Sequence, residues 1–229
     1  MASQARHSFD ENCADVNRLI AIHSDIAGDS PGRKFGVEVL NKSAVVLITA
    51  FWEAYCEDIA AEAVEHIVTH SKDASALPTG LKKVISRELE KDTHDLSSWR
   101  LADDGWRDML SDRLAALQEE RNRKLNTPKT GQISDLFSQT LGLEDITVKW
   151  YWSGMSRDQA AQKLDDFVTL RGAIAHRGAG AGSVKKVDVT NYLAHVKRLV
   201  AKTGGTVNSH VFASTGRKLF TRERRGSAS

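Results

Sequence analysis

The sequence predicts an all-α bundle, and three observations carry that expectation. Residues 37–70 contain neither proline nor glycine, and within them Ala44-Val45-Val46-Leu47-Ile48-Thr49-Ala50-Phe51-Trp52 is apolar on nearly every side, as in a helix covered all round. Elsewhere apolar residues recur at three- and four-residue spacing, the period of one helix face. The one alternating, β-branched stretch, Ile146 to Trp152, has no neighbouring run to pair with, and a lone strand is not stable.

The first helix is expected over about residues 10–26, where Val16, Leu19, Ile20, His23 and Ile26 or Ala27 share a face. His23 on that stripe reads as a satisfied core histidine rather than a ligand. Gly28-Asp29-Ser30-Pro31-Gly32 then reverses the chain. The central helix follows over 37–70. Its apolar run is shorter than the roughly 20 residues a bilayer crossing takes, so burial in a bundle is expected and no membrane span. Glu53 falls in the otherwise buried half, where an unpaired carboxylate is costly. It either pairs with Arg171 or faces solvent on the polar edge.

His66 and His70 stand four apart on one helical face, but the residues between them lack the Glu of H-E-x-x-H and no third ligand is evident, so no metal site is expected. Pro78 to Gly80 closes this region. A short charged helix is expected over Leu81–Leu89 and a longer one over Trp106–Leu125, ending in Glu119-Glu120-Arg121-Asn122-Arg123-Lys124. That basic end has two readings, a solvated helix terminus or a phosphate contact. Pro128 stops the helix, and Ile133, Leu136, Phe137, Leu141 and Leu143 form the buried side of another that ends at Gly142. Ile146 to Trp152 is expected as an extended connector whose aromatics plug the core or stack on bases.

Ser156 is a suitable N-cap for a helix starting near Arg157. After a glycine-rich loop a last helix begins near Lys185-Lys186-Val187-Asp188, is expected to break at Gly204-Gly205, and resumes over Val207–Phe212. The basic tail Arg217 to Arg225 is expected to be disordered. The division expected is one domain over 1–205, its core at about 36–205, with an extension over 206–229.

With 229 residues and 41% hydrophobic content, the chain suits one domain with a sizeable core. A formal net charge of +2 and a pI of about 8.5 are too mild to announce nucleic acid by themselves. Cys13 and Cys56 lie on apolar helix faces far from any CxxC spacing, and the N-terminus lacks a charged-then-apolar signal pattern, so a reduced, cytoplasmic protein is expected. The sequence offers no phosphate-binding loop after a strand, no G-x-S-x-G and no carboxylate pair set for glycoside or metal-nuclease work.

The stretch with chemistry in it is Asp165-Asp166-Phe167-Val168-Thr169-Leu170-Arg171-Gly172-Ala173-Ile174-Ala175-His176-Arg177-Gly178. Ala160, Leu164, Phe167 and Val168 recur at helical spacing, and the next position on that stripe is Arg171. An inward arginine needs an anionic partner. Five residues later stands His176, whose side chain exchanges a proton near neutrality. Structurally, Arg171 would pair with Asp165 or Asp166 and His176 would complement the helix dipole. Chemically, the pair would act on a phosphodiester without metal. At ~100° per residue the two lie about 140° apart, so either the helix frays at His176, as Gly172, Gly178, Gly180 and Gly182 would allow, or two copies share a site.

Arg171 to His176 resembles the R-x(4 to 6)-H motif of HEPN ribonucleases. Asn126-Thr127-Pro128-Lys129, Ile133, Leu136-Phe137, Leu141-Gly142-Leu143, Trp150, Trp152, Gly154, Leu164-Asp165 and Arg171 through Arg177 together resemble the RiboL-PSP-HEPN branch, over most of residues 36–205. One departure is Gly172, where these families often carry a polar residue, commonly Asn. The resemblance implies a HEPN-like bundle with a long central helix, and a homodimeric, metal-independent, cofactor-free endoribonuclease. Arg171 and His176 would be catalytic, with Glu53, Asp165 and Asp166 supporting and Arg177, Lys185 and Lys186 contacting the RNA. Such ribonucleases often act as toxins or in antiviral defence, which admits an antitoxin or defence-system partner. The alternative class is a non-catalytic helical interaction or RNA-binding module.

Overall fold

The computed structural model describes residues 2–27, 36–94, 96–122 and 127–221. Its helices are α1 (Gln4–Ala27), α2 (Glu38–His70), α3 (Thr79–Lys91), α4 (Gly105–Asn122), α5 (Thr130–Leu141), α6 (Arg157–Arg177) and α7 (Lys186–Thr215), and no strand forms among the described residues. The expected turn at Gly28–Gly32, the cluster Arg123 to Asn126 and the tail Arg222–Arg225 lie outside them.

A helix that is apolar all round must be covered all round, and α2 is the axle of the bundle for that reason. Val45, Ile48, Trp52, Ile59, Ala63 and Ile67 of α2 are buried, and α1, α4, α5, α6 and α7 each pack against it. At 33 residues it is roughly 50 Å long. Its length lets it touch the motif helix at one end and the N-terminus of the chain at the other.

α1 starts six residues before the expected boundary. Ala5, Phe9, Cys13 and Val16 are all buried, so the apolar stripe extends toward the N-terminus at spacings of four, four and three. The Glu62 carboxylate of α2 accepts from the Ala5 backbone N–H, satisfying a donor that a helix start otherwise leaves bare. The expected connector over 146–152 also differs. Residues 146–149 form a turn of 3-10 helix because the Asp145 carboxylate accepts from the Thr147 backbone at 3.0 Å and its hydroxyl at 2.7 Å. A tight turn follows, with Trp152 and Met155 bridged and Gly154 at φ 77°.

Two indoles fix this segment to the core. Trp52 and Trp150 meet edge to face with centroids 5.8 Å apart, an arrangement worth about 0.5–1.5 kcal/mol beyond burial. Neither N–H is orphaned: Trp52 Nε1 donates to Pro128 O at 3.3 Å and Trp150 Nε1 to Thr203 Oγ1 at 3.0 Å.

The break expected at Gly204-Gly205 does not occur, and α7 runs through both glycines. Gly204 serves close packing instead: a Cβ there would meet the Tyr55 hydroxyl at 2.6 Å, and that hydroxyl donates to Val200 O at 3.0 Å. Within α7, the Asn208 side chain donates to Phe220 O at 3.1 Å and accepts from the Phe220 N–H at 3.3 Å, tying down the chain that follows the helix. Residues 217–221, the described beginning of the tail expected to be disordered, are thus held against α7.

Both cysteines are buried, and neither forms a disulfide. His23 is buried as expected, although its Nδ1 has no hydrogen-bond partner. His195, 3% exposed, places Nε2 3.0 Å from Ala160 O, so Nε2 carries the proton and Nδ1 is a buried acceptor without a partner. Burial pushes its pKa from 6.5 down to about 4. Between those values the unfolded chain binds the proton and the folded chain does not, so this residue's contribution is complete above about pH 6.5 and is lost as pH falls toward 4. We predict a stability loss on the order of 2–3 kcal/mol from this source between pH 7 and pH 4. Denaturant melts across that range should show a shallower decline for His195→Gln than for the parent. An unchanged slope would remove His195 from the account.

Candidate functional site

The motif helix α6 begins where the sequence places it. Ser156 Oγ accepts from Gln159 N at 3.2 Å while Gln159 Oε1 accepts from Ser156 N at 2.9 Å, a reciprocal capping box. From there Ala160, Leu164 and Val168 point into the core. Phe167 stacks on Tyr192 of α7, with centroids 4.1 Å apart and planes at 12°. The Tyr192 hydroxyl lies 2.9 Å from Thr49 Oγ1 of α2. Three helices therefore meet one turn before Arg171.

Arg171 is half-buried at that junction. Its Nε has no hydrogen-bond partner, and among the described residues it forms no ion pair. Burial raises the Tyr192 pKa, with the Thr49 hydrogen bond and the charge of Arg171 opposing that rise. A guanidinium partly stripped of water and left without a counter-charge retains affinity for an anion. His176 is exposed in the last turn of the same helix.

The helix does not fray at His176. α6 continues to Arg177 and closes at Gly178, whose φ is 50°, and Lys42 of α2 donates from Nζ to Gly178 O at 3.1 Å. A cation on a terminal carbonyl satisfies an acceptor that the helix end leaves open. On an unbroken helix Arg171 and His176 stay about 140° apart. One copy thus presents them on different faces.

Of the two readings of Glu53, the pair with Arg171 is not formed, and Glu53 is half-buried on α2. Nor does Arg171 pair with either aspartate. The Asp165 carboxylate accepts from Thr130 N at 2.7 Å and from its hydroxyl at 2.9 Å, capping α5 from another helix. Asp166 accepts from Gln162 Nε2 at 2.8 Å on the exposed side. Arg177 and Lys185 are exposed on either side of the 178–182 turn. Lys186 instead reaches α1, where Nζ donates to Ser24 Oγ.

Two residues near the motif escaped the sequence reading. Asn41 donates from Nδ2 to Val184 O at 2.8 Å in the buried interior, so Asn41 and Lys42 clasp the two ends of the glycine-rich turn. The only local signal for Lys42 is its spacing from Glu38, which it contacts at 3.0 Å, and that pattern reads as a solvated helix pair. His66 and His70 stack with ring centroids 4.2 Å apart. Among the described residues no three His, Cys, Asp or Glu side chains gather to hold a metal ion, and no helix is long and apolar enough to cross a membrane.

Comparison with known proteins yields one finding. The family model described as RiboL-PSP-HEPN matches residues 11–208. No curated protein and no solved structure matches the chain. The match runs from α1 into α7 and so covers the bundle as well as the motif, and the chain therefore belongs to the RiboL-PSP-HEPN family.

Proposed function

We propose that the protein is a metal-independent endoribonuclease that works as a homodimer in the cytoplasm, of the kind that serves as a toxin or antiviral-defence effector and can be held by an antitoxin or defence-system partner. The observation that carries the reading is Arg171: a half-buried guanidinium with an orphaned Nε and no ion pair among the described residues, on a helix unbroken to His176.

RNA brings its own nucleophile, the 2′-OH beside each phosphate. A base removes its proton, the oxygen attacks phosphorus, the bond to the 5′ oxygen breaks, and an acid protonates that leaving oxygen. The products are a 2′,3′-cyclic phosphate and a 5′-OH end. His176 from each of two copies supplies the base and the acid. Arg171 grips the phosphate oxygens as their charge grows in the transition state. Arg177 and Lys185, exposed beside the motif, contact neighbouring phosphates.

The second copy is supported by surface chemistry. Ile26, Val39 and Val187 are exposed, each within two residues in sequence of a group that ties α1, α2 or the start of α7 to its neighbours, Ser24, Asn41 and Lys186. Exposed apolar side chains of this kind are suited to a two-fold contact.

A non-catalytic reading is favoured by one observation, Gly172, where a polar residue is common in related families. A Cβ at Gly172 would meet nothing within 4 Å, so the missing side chain leaves open space rather than a filled contact. Gly172→Ala should raise monomer stability by about 0.5–1 kcal/mol, the usual gain for replacing a mid-helix glycine, measured by chemical denaturation. A loss of stability would mean that the glycine is needed for packing.

Arg171→Ala and His176→Ala should keep their helical signal and melting behaviour while cleavage of mixed RNA falls by about 10²-fold or more. Cleavage should survive excess EDTA. Near-parental activity in either variant would dismiss the assigned site, and loss on chelation with recovery in magnesium would dismiss the metal-free chemistry.

The nucleophile is open to direct test. Replacing the ribose on the 5′ side of a mapped cut by its deoxy form should abolish cleavage there with binding nearly unchanged. Release of a 3′-OH end from that bond would assign the attack to water or a protein group.

A further inference from the structure

Trp150, Tyr151 and Trp152 are consecutive, yet the fold divides their tasks. Trp150 is fully buried, while Tyr151 is 51% exposed and Trp152 sits half-buried at the surface. Each of the outer two rings has a cation of α7 over it: Lys202 Nζ lies 5.1 Å from the Tyr151 centroid, and Arg198 Cζ lies 5.4 Å from that of Trp152. Arg198 and Lys202 stand four residues apart and so share one helix face. No described carboxylate pairs with either. Asp145, which precedes the three aromatics, is already taken by Arg157 at 2.8 Å.

Two aromatic rings and two unneutralised cations in alternation match a strand that alternates bases with phosphates. Base stacking requires unpaired bases, which a duplex hides. Lys202 also borders a cavity of about 510 Å³ lined by Tyr55, Gly204, Phe220 and the Arg6–Asp10 ion pair. We propose that this face is a platform for single-stranded RNA, with bases stacked on Tyr151 and Trp152 and phosphates held by Arg198 and Lys202. The proposal rests on RNA being the substrate, and is independent of how the chain cuts it.

The placement gives the platform a distinct task. Trp152 lies against His195, with centroids 5.4 Å apart, and His195 bonds Ala160 at the start of α6. Eleven residues of helix, roughly 16 Å, separate Ala160 from Arg171. The platform holds the strand at the far end of the motif helix, and substrates long enough to span both bind better than short ones.

The test uses the full chain and a labelled twelve-nucleotide RNA with every 2′-OH methylated, so that it binds without being cut. Fluorescence anisotropy over a salt series should show Tyr151→Ala, a surface change that leaves the melting temperature unaltered, weakening affinity about 5- to 100-fold. Arg198→Gln combined with Lys202→Gln should flatten the slope of log affinity against log salt by about 1.4, the share of two phosphate contacts on a single strand. The same RNA annealed to its complement should be insensitive to Tyr151→Ala. Absence of binding by the parent chain, or parental affinity and salt slope in these variants, would overturn the platform. Because the probe lacks a free 2′-OH, a chain that cleaves nothing can still bind it, and loss of the platform would leave the Arg171 and His176 reading standing.

Discussion

The structure depends on the apolar circumference of α2. A helix buried on one stripe needs one neighbour, but Ala44 through Trp52 leave α2 almost no polar side, so it must be enclosed. Five helices do so, and their order around it places α6 and α7 together on one flank. Phe167, Tyr192 and Thr49 join there. Arg171 is where it is because that junction is.

Chemistry at the motif follows from what packing withholds. Each carboxylate that the sequence offered to Arg171 is used differently or does not reach it: Asp165 caps α5, Asp166 bonds Gln162, and Glu53 does not pair with Arg171. The guanidinium is left with its charge uncompensated by any described residue at a half-buried position, which stores affinity for an incoming anion. Lys42, by bonding Gly178, keeps the helix wound to Arg177 and so keeps His176 turned away from Arg171. The same rigidity that positions each residue well makes a second copy necessary to the proposed mechanism.

Much of the fold was legible in the residues. Uninterrupted apolar character marked α2 within one residue of its bounds, Ser156 with Gln159 marked the start of α6, and Gly142 marked the end of α5, because each of those signals acts within a few residues. Errors arose where a residue's meaning depended on a distant partner. Gly204-Gly205 resembles a helix break in isolation, yet the Tyr55 hydroxyl packed against Gly204 turns a breaker into a contact. The Ile146–Trp152 alternation suggested an extended chain, and a side-chain turn at Asp145 together with burial of Trp150 overrode it.

By itself the sequence determined the helical class, the long buried axle, the spacing from Arg171 to His176 and the family, since periodicity, capping and motif spacing are local or nearly local properties. Tertiary structure alone decided that Arg171 goes unpaired among the described residues, that Trp150 is core while Tyr151 is exposed and Trp152 half-buried, and that Lys42 and Asn41 clasp a turn more than 130 positions away. Hydrogen bonds and ion pairs form between groups that packing brings within about 3 Å, and that proximity is set by how five other helices enclose α2, a global outcome that no short window of residues contains.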